Sequence, residues 1–250
     1  MSDIILQAEG LTKRFGGVAA VSDVDLTVRT GTIHSLIGPN GAGKTTCFNM
    51  LSSFLPPTSG RIHFKGRNIT GMRAPDVARM RLVRSFQISA VFLRLTALKN
   101  IHVALQQKHG WGYNFWASDG RLEASTPEAM ELLELVGLES SADVLASDLS
   151  YGQKRCLELA TTLALEPELM LLDEPTAGLG IEDIKRITGV IRQIAKTRTI
   201  LMVEHNLSVV AGLSDRISVL ARGRILAEGD YETVSKDNRV IEAYLGGAHV

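Results

Sequence analysis

Apolar and polar residues alternate with a period of two near the start of the chain. The alternation covers residues 6–11 and 24–28, and glycine pairs or Thr-Gly steps at residues 16–17 and 30–31 are typical of turns. This pattern indicates half-buried antiparallel strands. The sequence therefore predicts an antiparallel β layer in the first part of the chain.

Continuous apolar runs of strand length occur further along, and helical patterns separate them. Buried strands are predicted at residues 33–37, 169–172 and 199–203, and further strands at 60–64, 83–87, 217–220 and 224–228. Helices are predicted at residues 46–51, 75–81, 150–165, 181–195 and 240–245. Strands that alternate with helices indicate an α/β fold.

Between residues 88 and 149 the pattern is helical. One helix is predicted at residues 96–106, and a second helix is predicted to be capped by Ser125, with Pro127 in its first turn and Gly137 as its stop. We therefore expect a helical subdomain at 88–149, inserted into a core formed by 1–87 and 150–250. The aromatic stretch 111–116 holds both tryptophans, and either a partner surface or a loop packed on its own subdomain is consistent with it.

Composition excludes several classes of function. The 27 Lys and Arg residues balance 27 Asp and Glu residues, so the chain lacks the basic footprint of a dedicated nucleic-acid binder, and no nucleic-acid partner is expected. No stretch has the length of apolar residues that a membrane-spanning helix needs, and a soluble, cytoplasmic protein is expected. Cys47 and Cys156 fall among apolar residues of predicted helices and are expected to be small buried hydrophobes.

Residues 38–45 match the pattern G-x-x-x-x-G-K-[ST] at every defined position. A predicted strand precedes them and a predicted helix follows, which is the context that this pattern requires. Glycines allow the backbone to close around an anion, Lys44 adds a positive charge, and the Thr45 hydroxyl can bind Mg²⁺. The sequence therefore predicts a loop that binds the phosphates of a nucleotide; a glycine-rich turn without a ligand is the alternative.

Polar side chains follow three of the predicted strands. Asp173 ends an apolar strand where a carboxylate can hold Mg²⁺, and Glu174 comes next, where it can activate a water molecule. Gln87 and His205 also follow strands, and parallel sheets carry their ligand sites at such ends. The alternatives are two surface acids, a solvated glutamine and a structural histidine.

Two further positions have both a functional and a structural interpretation. Ser150 is placed as the cap of a long helix, and the start of that helix is either a second anion site or simply a capped helix. Phe15 lies on a predicted turn, where its ring either stacks on a purine or belongs to the core.

Five features, in their order along the chain, resemble the nucleotide-binding subunit of an ABC transporter. They are the loop at residues 38–45 (the phosphate loop), Gln87, the segment L-S-Y-G-Q at 149–153, the segment 171–174 and His205. The Leu-Ser-x-Gly-Gln element discriminates this family from other phosphate-loop ATPases and GTPases. Residues 203–206, 223–229 and 239–246 are similar to ATP-binding subunits of branched-chain amino-acid importers. The resemblance implies a P-loop NTPase with a RecA-like core, an antiparallel β subdomain and an inserted helical subdomain.

The resemblance also implies roles for individual residues. Phe15 stacks on adenine, Glu174 is the general base, His205 contacts the γ-phosphate, and Gln87 couples the site to a membrane partner. The implied nucleotide-binding set further contains Asn40, Gly41, Ala42, Gly43, Lys44, Thr45 and Thr46, together with Ser150, Gly152 and Gln153, which complete the site of a facing subunit. The implied Mg²⁺ ligands are Thr45, Gln87 and Asp173.

Two positions depart from the family pattern. Tyr151 replaces the more usual second glycine of the signature, a variation that the importer branch tolerates. Gly180 stands where the family generally has Asp or Asn, a side chain that helps to link the two sites of a dimer. Weaker communication between the sites is the expected consequence.

The resemblance implies an ATP-binding and ATP-hydrolysing subunit of an importer for branched-chain or other amino acids. Its cofactors would be ATP and Mg²⁺. Its partners would be transmembrane permease subunits, a second cassette that is identical or paralogous, and indirectly a solute-binding protein. It would lie at the cytoplasmic face of the inner membrane as a peripheral protein. The alternatives are the ATPase of a lipopolysaccharide-type exporter and a soluble ABC protein acting in translation, DNA repair or iron–sulfur assembly.

Overall fold

The computed structural model describes residues 3–85, 91–108 and 119–245. The chain divides into two compact units. The first contains Met1–Leu82, Glu168–Pro175 and Ala195–Val250, and the second contains Val83–Pro167 and Thr176–Ile194. The subdomain boundaries expected from the sequence, at 88 and 149, stay a prediction.

Strands and helices are interleaved along the chain, as in an α/β fold. The strands are β1 (Ile4–Phe15), β2 (Val18–Arg29), β3 (Ile33–Ile37), β4 (Ser59–Phe64), β5 (Arg67–Asn68), β6 (Leu82–Arg84), β7 (Leu169–Asp173), β8 (Thr199–Val203), β9 (Arg216–Ala221) and β10 (Arg224–Gly229). The helices are α1 (Lys44–Leu51), α2 (Ala74–Arg79), α3 (Ala97–Lys108), α4 (Asp119–Leu135), α5 (Tyr151–Leu163), α6 (Ile181–Ala195), α7 (Leu207–Leu213), α8 (Tyr231–Ser235) and α9 (Asn238–Leu245).

The predicted antiparallel layer is confirmed, in the strand order β2-β1-β4-β5. Its first two strands are longer than the alternating pattern indicated, because the pairing continues beyond residues 11 and 24 to the turn at residues 16–17. Phe15 is consequently the last residue of β1, paired with Val18 across the turn, and its placement on the turn itself was wrong.

The mainly parallel sheet of the first unit has the order β10-β9-β3-β8-β7. Strand β3 runs parallel to β8 and β9, β8 runs parallel to β7, and β10 closes the order as an antiparallel neighbour of β9. Every residue of β3 and β8 is buried, as predicted for these two strands. The carboxyl ends of β3, β7 and β8 therefore lie at one edge, where ligand sites of such sheets form.

The second unit is helical, and one prediction made for it is wrong. Helix α4 begins at Asp119, so Ser125 and Pro127 lie inside the helix, not at its start. Pro127 removes one backbone hydrogen bond, but Ala129 and Leu133 are fully buried and α4 packs on α3 and α5. This packing outweighs the local capping signal. Gly137 ends the helical segment as predicted, with a φ of 67°.

Cys47 and Cys156 are free and buried, as expected. In the parts of the chain that the structure describes, no helix combines the length and the apolar character needed to cross a membrane. The positions of Gln87 and of the aromatic stretch 111–116 lie outside the described residues.

Candidate nucleotide-binding site

The loop between β3 and α1 packs its backbone directly on neighbouring strands. Gly38 and Gly43 have φ angles of 151° and 99°. A Cβ atom on Gly38 would lie 2.0 Å from the Leu220 carbonyl oxygen, and one on Gly43 would lie 2.4 Å from the Ala20 carbonyl oxygen. Only glycine fits at both positions, so the geometry of the loop itself requires these two glycines.

Lys44 is the first residue of α1 and is largely enclosed, with 8% of its surface exposed. Its Nζ donates to the carbonyl oxygens of Gly38 at 2.7 Å and Pro39 at 3.0 Å. Burial lowers the pKa of Lys44, and the carboxylate of Glu174 acts against this shift. The first N–H groups of α1 have no carbonyl partner within the helix, so ammonium and helix start together form a site for an anion.

The remaining loop residues differ in exposure. Asn40, Gly41 and Thr45 are exposed, Thr46 is half-buried, and Ala42 is buried. The Ala42 carbonyl accepts a hydrogen bond from the Gly223 N–H at 2.9 Å. The loop is therefore held from behind, while the exposed residues form its open side.

Glu174 is placed by a strained turn at the end of β7. Its φ is 45°, a conformation that costs a non-glycine residue free energy, and its N–H donates to the Val203 carbonyl at 2.9 Å. The Oε1 atom of Glu174 lies 3.7 Å from Nδ1 of His205. The structure thus brings together Lys44, Glu174 and His205, which are far apart in the sequence.

A fourth residue of this group was missed from the sequence. Glu204 has no exposed surface, and its Oε2 accepts hydrogen bonds from the N–H groups of His205 at 3.0 Å and Asn206 at 3.1 Å. The side chain of Asn206 in turn caps α7. Glu204 therefore holds the turn that presents His205. A carboxylate directly after the four buried apolar residues 200–203 was the available signal.

Oxygen donors suited to Mg²⁺ are present on the loop and at the end of β7. Thr45 offers a hydroxyl and Asp173 a carboxylate, and Mg²⁺ prefers oxygen ligands. Among the described residues no group of three or more His, Cys, Asp or Glu side chains is arranged to hold a metal. This donor set fits Mg²⁺ that receives most of its ligands from phosphate and water. Gln87, the third expected ligand, lies outside the described residues.

Phe15 is not a core aromatic, because 52% of its surface is exposed. The Lys13 ammonium lies 5.5 Å from the ring centroid, and the same ammonium donates to the Pro56 carbonyl at 2.7 Å. An exposed ring with a cation on one face remains available for stacking on the other.

The second unit holds the other set of predicted residues, at the start of α5. Ser150 and Gln153 form a reciprocal capping box: Ser150 Oγ accepts from the Gln153 N–H at 3.2 Å, and Gln153 Oε1 accepts from the Ser150 N–H at 2.9 Å. The carboxylate of Asp183 packs on Gly152, where a Cβ atom would lie 2.2 Å from Oδ1. The capped-helix interpretation is confirmed, and its use as an anion site stays a prediction.

The two departures from the family pattern lie in the same unit. The Tyr151 hydroxyl donates to the Ala177 carbonyl at 3.5 Å, and the ring contacts Gly178. Gly180 is exposed, and a Cβ atom there would meet nothing within 4 Å. A side chain at position 180 would therefore fit, and its absence has no packing reason.

Comparison with known proteins decides the family. The model of the family described as ABC transporter matches residues 21–177. The chain belongs to the ABC transporter family. A second model, described as branched-chain amino acid ATP-binding cassette transporter, matches residues 224–250 of this cassette. As an ABC cassette, it is the ATP-binding and ATP-hydrolysing part of such a transporter, and the expected P-loop NTPase fold is confirmed.

Similar proteins cover the cassette from end to end. It is 40% identical to the high-affinity branched-chain amino acid transport ATP-binding protein LivG of Salmonella typhimurium, over 99% of this chain and 100% of that protein. It is 41% identical to BraF, the corresponding protein of Pseudomonas aeruginosa, with the same coverage. Among solved structures, the ADP conformation of an ATP-binding cassette of an ABC transporter superposes with a TM-score of 0.86 at 30% identity, covering 98% of this chain and 100% of that chain.

Proposed function

We propose that this cassette powers the import of branched-chain amino acids. Two observations support the solute class. LivG and BraF, both ATP-binding proteins of branched-chain amino acid transport, match essentially the whole chain. The C-terminal residues 224–250 match a family model described by the same transport. The second match carries most weight, because it distinguishes this transporter class from cassettes in general.

The described contacts support separate binding roles for residues of the first unit. The enclosed Lys44 ammonium and the start of α1 bind the β- and γ-phosphates, with Asn40 and Gly41 on the open side of the loop and Thr46 in the first turn of α1. Phe15 stacks on the adenine ring. Bound Mg²⁺, held by Thr45 and Asp173, would neutralise phosphate charge.

Glu174 and His205 act at the γ-phosphate. The Glu174 carboxylate takes a proton from the attacking water as general base. His205 lies 3.7 Å from that carboxylate and contacts the γ-phosphate, while Glu204 holds its backbone in place. Gln87 is assigned the coupling role that the resemblance implies.

Hydrolysis in this proposal requires two cassettes. Ser150, Gly152 and Gln153 of one cassette complete the site of the other, because the start of α5 is a second place where helix N–H groups can meet an anion. The second cassette is an identical or paralogous chain. The partners are permease subunits and, through them, a solute-binding protein. The cassette is then a peripheral protein at the cytoplasmic face of the inner membrane.

Replacing Glu174→Gln tests the catalytic assignment. ATP binding is expected to persist, because Lys44 and the loop are unchanged, while hydrolysis falls by about 100-fold or more through loss of the general base. Binding is measured by calorimetry and hydrolysis by phosphate release. Glu182→Gln is the matched control, since this carboxylate is 92% exposed at the start of α6. Near-normal turnover of Glu174→Gln contradicts the assignment.

The solute class needs a separate experiment. The cassette, co-purified with its permease and reconstituted in vesicles with the solute-binding protein, is expected to drive ATP-dependent uptake of labelled leucine, isoleucine or valine. Uptake of a different amino acid alone overturns the solute class but not the ATPase. Co-purification with ribosomes or nucleic acid in place of a membrane protein overturns transport altogether.

A further inference from the structure

The Glu204 side chain is a buried carboxyl group at the end of a central strand. Glu204 follows Val203, the last residue of β8, and has no exposed surface. Strand β8 lies between β3 and β7 in the sheet, so Glu204 stands at the edge where the phosphate loop and Glu174 also lie. None of the roles that the family resemblance implies falls on this residue. A polar group that is removed from water costs free energy unless it is hydrogen-bonded, so its contacts indicate its role.

One oxygen of Glu204 fixes the two peptide groups that follow it. Its Oε2 accepts hydrogen bonds from the N–H groups of His205 at 3.0 Å and Asn206 at 3.1 Å. The Asn206 side chain in turn caps α7 by accepting from the N–H groups of Ser208 and Val209. His205 therefore lies between a hydrogen-bonded strand end and a capped helix start.

The imidazole of His205 depends on this backbone for its position. The His205 side chain is 57% exposed, so packing gives it little restraint, yet its Nδ1 lies 3.7 Å from Oε1 of Glu174. Glu174 is held at the same strand end, because its N–H donates to the Val203 carbonyl at 2.9 Å. The adjacent residues Val203 and Glu204 therefore hold the two members of this pair.

We infer that Glu204 is a positioning residue for ATP hydrolysis and acts through His205. Its oxygen holds the backbone of His205 so that the imidazole stays beside Glu174 and meets the γ-phosphate. The two hydrogen bonds require an acceptor atom and not a charge, so a neutral amide at position 204 fulfils the same task. Other contacts hold the phosphate loop, so the binding of ATP does not depend on Glu204. The inference rests on the proposed role of His205 at the γ-phosphate.

Glu204→Gln and Glu204→Met form a matched pair of nearly equal size. Glutamine keeps an acceptor oxygen, and kcat for ATP hydrolysis by the assembled transporter is expected to stay within about 3-fold of wild type. Methionine offers only a weak sulfur acceptor, so the turn is released. Its kcat is expected to fall about 10- to 100-fold, because small displacements of a group at the reaction centre have effects of this size.

The binding of MgATP supplies the second measurement. Its dissociation constant should change less than about 2-fold in both variants, which also shows that they are folded. Glu204→Ala lacks the acceptor too, and it takes the place of Glu204→Met if the longer side chain prevents folding. Glu232→Met, at a 77% exposed glutamate of α8, is the control and should change neither quantity.

A double-mutant cycle with His205→Ala separates positioning from general damage. Without the imidazole, Glu204→Met should lower kcat by less than about 2-fold further, because the residue through which it acts is gone. A purely structural role predicts the same fold loss with and without His205, and that result overturns the inference. Wild-type hydrolysis by Glu204→Met overturns it as well, and so does a Glu204→Gln transporter as slow as Glu204→Met.

Failure of the proposed function gives a different result. A His205→Ala transporter that hydrolyses ATP at the wild-type rate contradicts the proposed role of His205, and the inference falls with it. A slow His205→Ala transporter in which Glu204→Met still causes its full loss overturns the inference alone.

Discussion

At the scale of single residues, the phosphate loop is specified by a few backbone positions. Gly41 and Gly43 both have left-handed backbone conformations, with φ angles of 76° and 99°. They differ in their surroundings: a Cβ atom on Gly41 would meet nothing within 4 Å, whereas one on Gly43 would lie 2.4 Å from the Ala20 carbonyl oxygen. Substitutions at these two glycines therefore separate the free-energy cost of the left-handed conformation from the cost of the clash with the Ala20 carbonyl oxygen.

The variant Gly43→Ala is expected to lower the free energy of unfolding by about 1–3 kcal/mol and to weaken ATP binding, because the loop must move away from β2. Gly41→Ala shares the backbone cost without the clash and is expected to lose less stability. Urea denaturation of both variants beside wild type measures the difference. Equal losses in the two variants would show that the contact with Ala20 does not constrain the loop.

At the scale of elements, the start of α5 has two roles that can be tested separately. The Ser150 side chain caps the helix through the Gln153 N–H, and the proposed function places the γ-phosphate of a facing subunit at the same helix start. A substitution that keeps the helix cap but places a negative charge at the helix start distinguishes the two roles.

Aspartate caps helices about as well as serine, so Ser150→Asp is expected to leave the free energy of unfolding within about 0.5 kcal/mol of wild type. Its carboxylate repels the γ-phosphate, and ATP hydrolysis by the assembled transporter should fall at least about 10-fold. Ser150→Ala is the complementary variant and should lose about 0.5–2 kcal/mol of stability. Wild-type hydrolysis by Ser150→Asp would remove Ser150 from the site.

At the scale of the whole molecule, each unit buries an ionisable group that the site does not use. In the first unit, His34 is fully buried, with Nε2 2.8 Å from Ser218 Oγ. Burial lowers the pKa of His34 to about 4, although the Glu228 carboxylate acts against it. The unfolded chain takes up a proton below about pH 6.5, where folded His34 stays neutral. Stability is therefore lost as the pH falls from 6.5 towards 4.

In the second unit, Glu158 has the opposite effect. Burial raises the pKa of Glu158 to about 7, against the pull of its ion-pair partner Arg155 and a hydrogen bond from Ser85. The folded protein keeps this proton up to about pH 7, whereas the unfolded chain releases it near pH 4.5. The contribution of Glu158 is therefore lost as the pH rises through this range.

The two contributions oppose each other between about pH 4.5 and 6.5. Relative to wild type, Glu158→Gln is expected to gain stability as the pH rises across this range, and His34→Gln is expected to gain stability as the pH falls. Each difference reaches about 3 kcal/mol at most. Urea denaturation of the three proteins at several pH values measures it, and differences that do not vary with pH would show that neither group titrates as described.

Much of this architecture was predictable from the sequence because its signals are local. The phosphate loop combines a short pattern with its flanking strand and helix, and the capping box at Ser150 lies within four residues. The start of α4 was not predictable in the same way. Ser125 and Pro127 carry a valid start signal, but buried neighbours on α3 and α5 extend the helix beyond it.

Local signals were sufficient to predict most strands and helices along the chain, the loop at residues 38–45 and the end of β7 at Asp173. Hydrophobic periodicity and turn preferences depend on residues that are close together in the sequence, so they can be recognised without the folded structure. The folded structure was needed to show that Glu174 lies beside His205 and near Lys44, and that the buried Glu204 accepts hydrogen bonds from the backbone of His205 and Asn206. The contacts of Glu174 join residues separated by tens to hundreds of positions, and packing of the folded chain is what creates them.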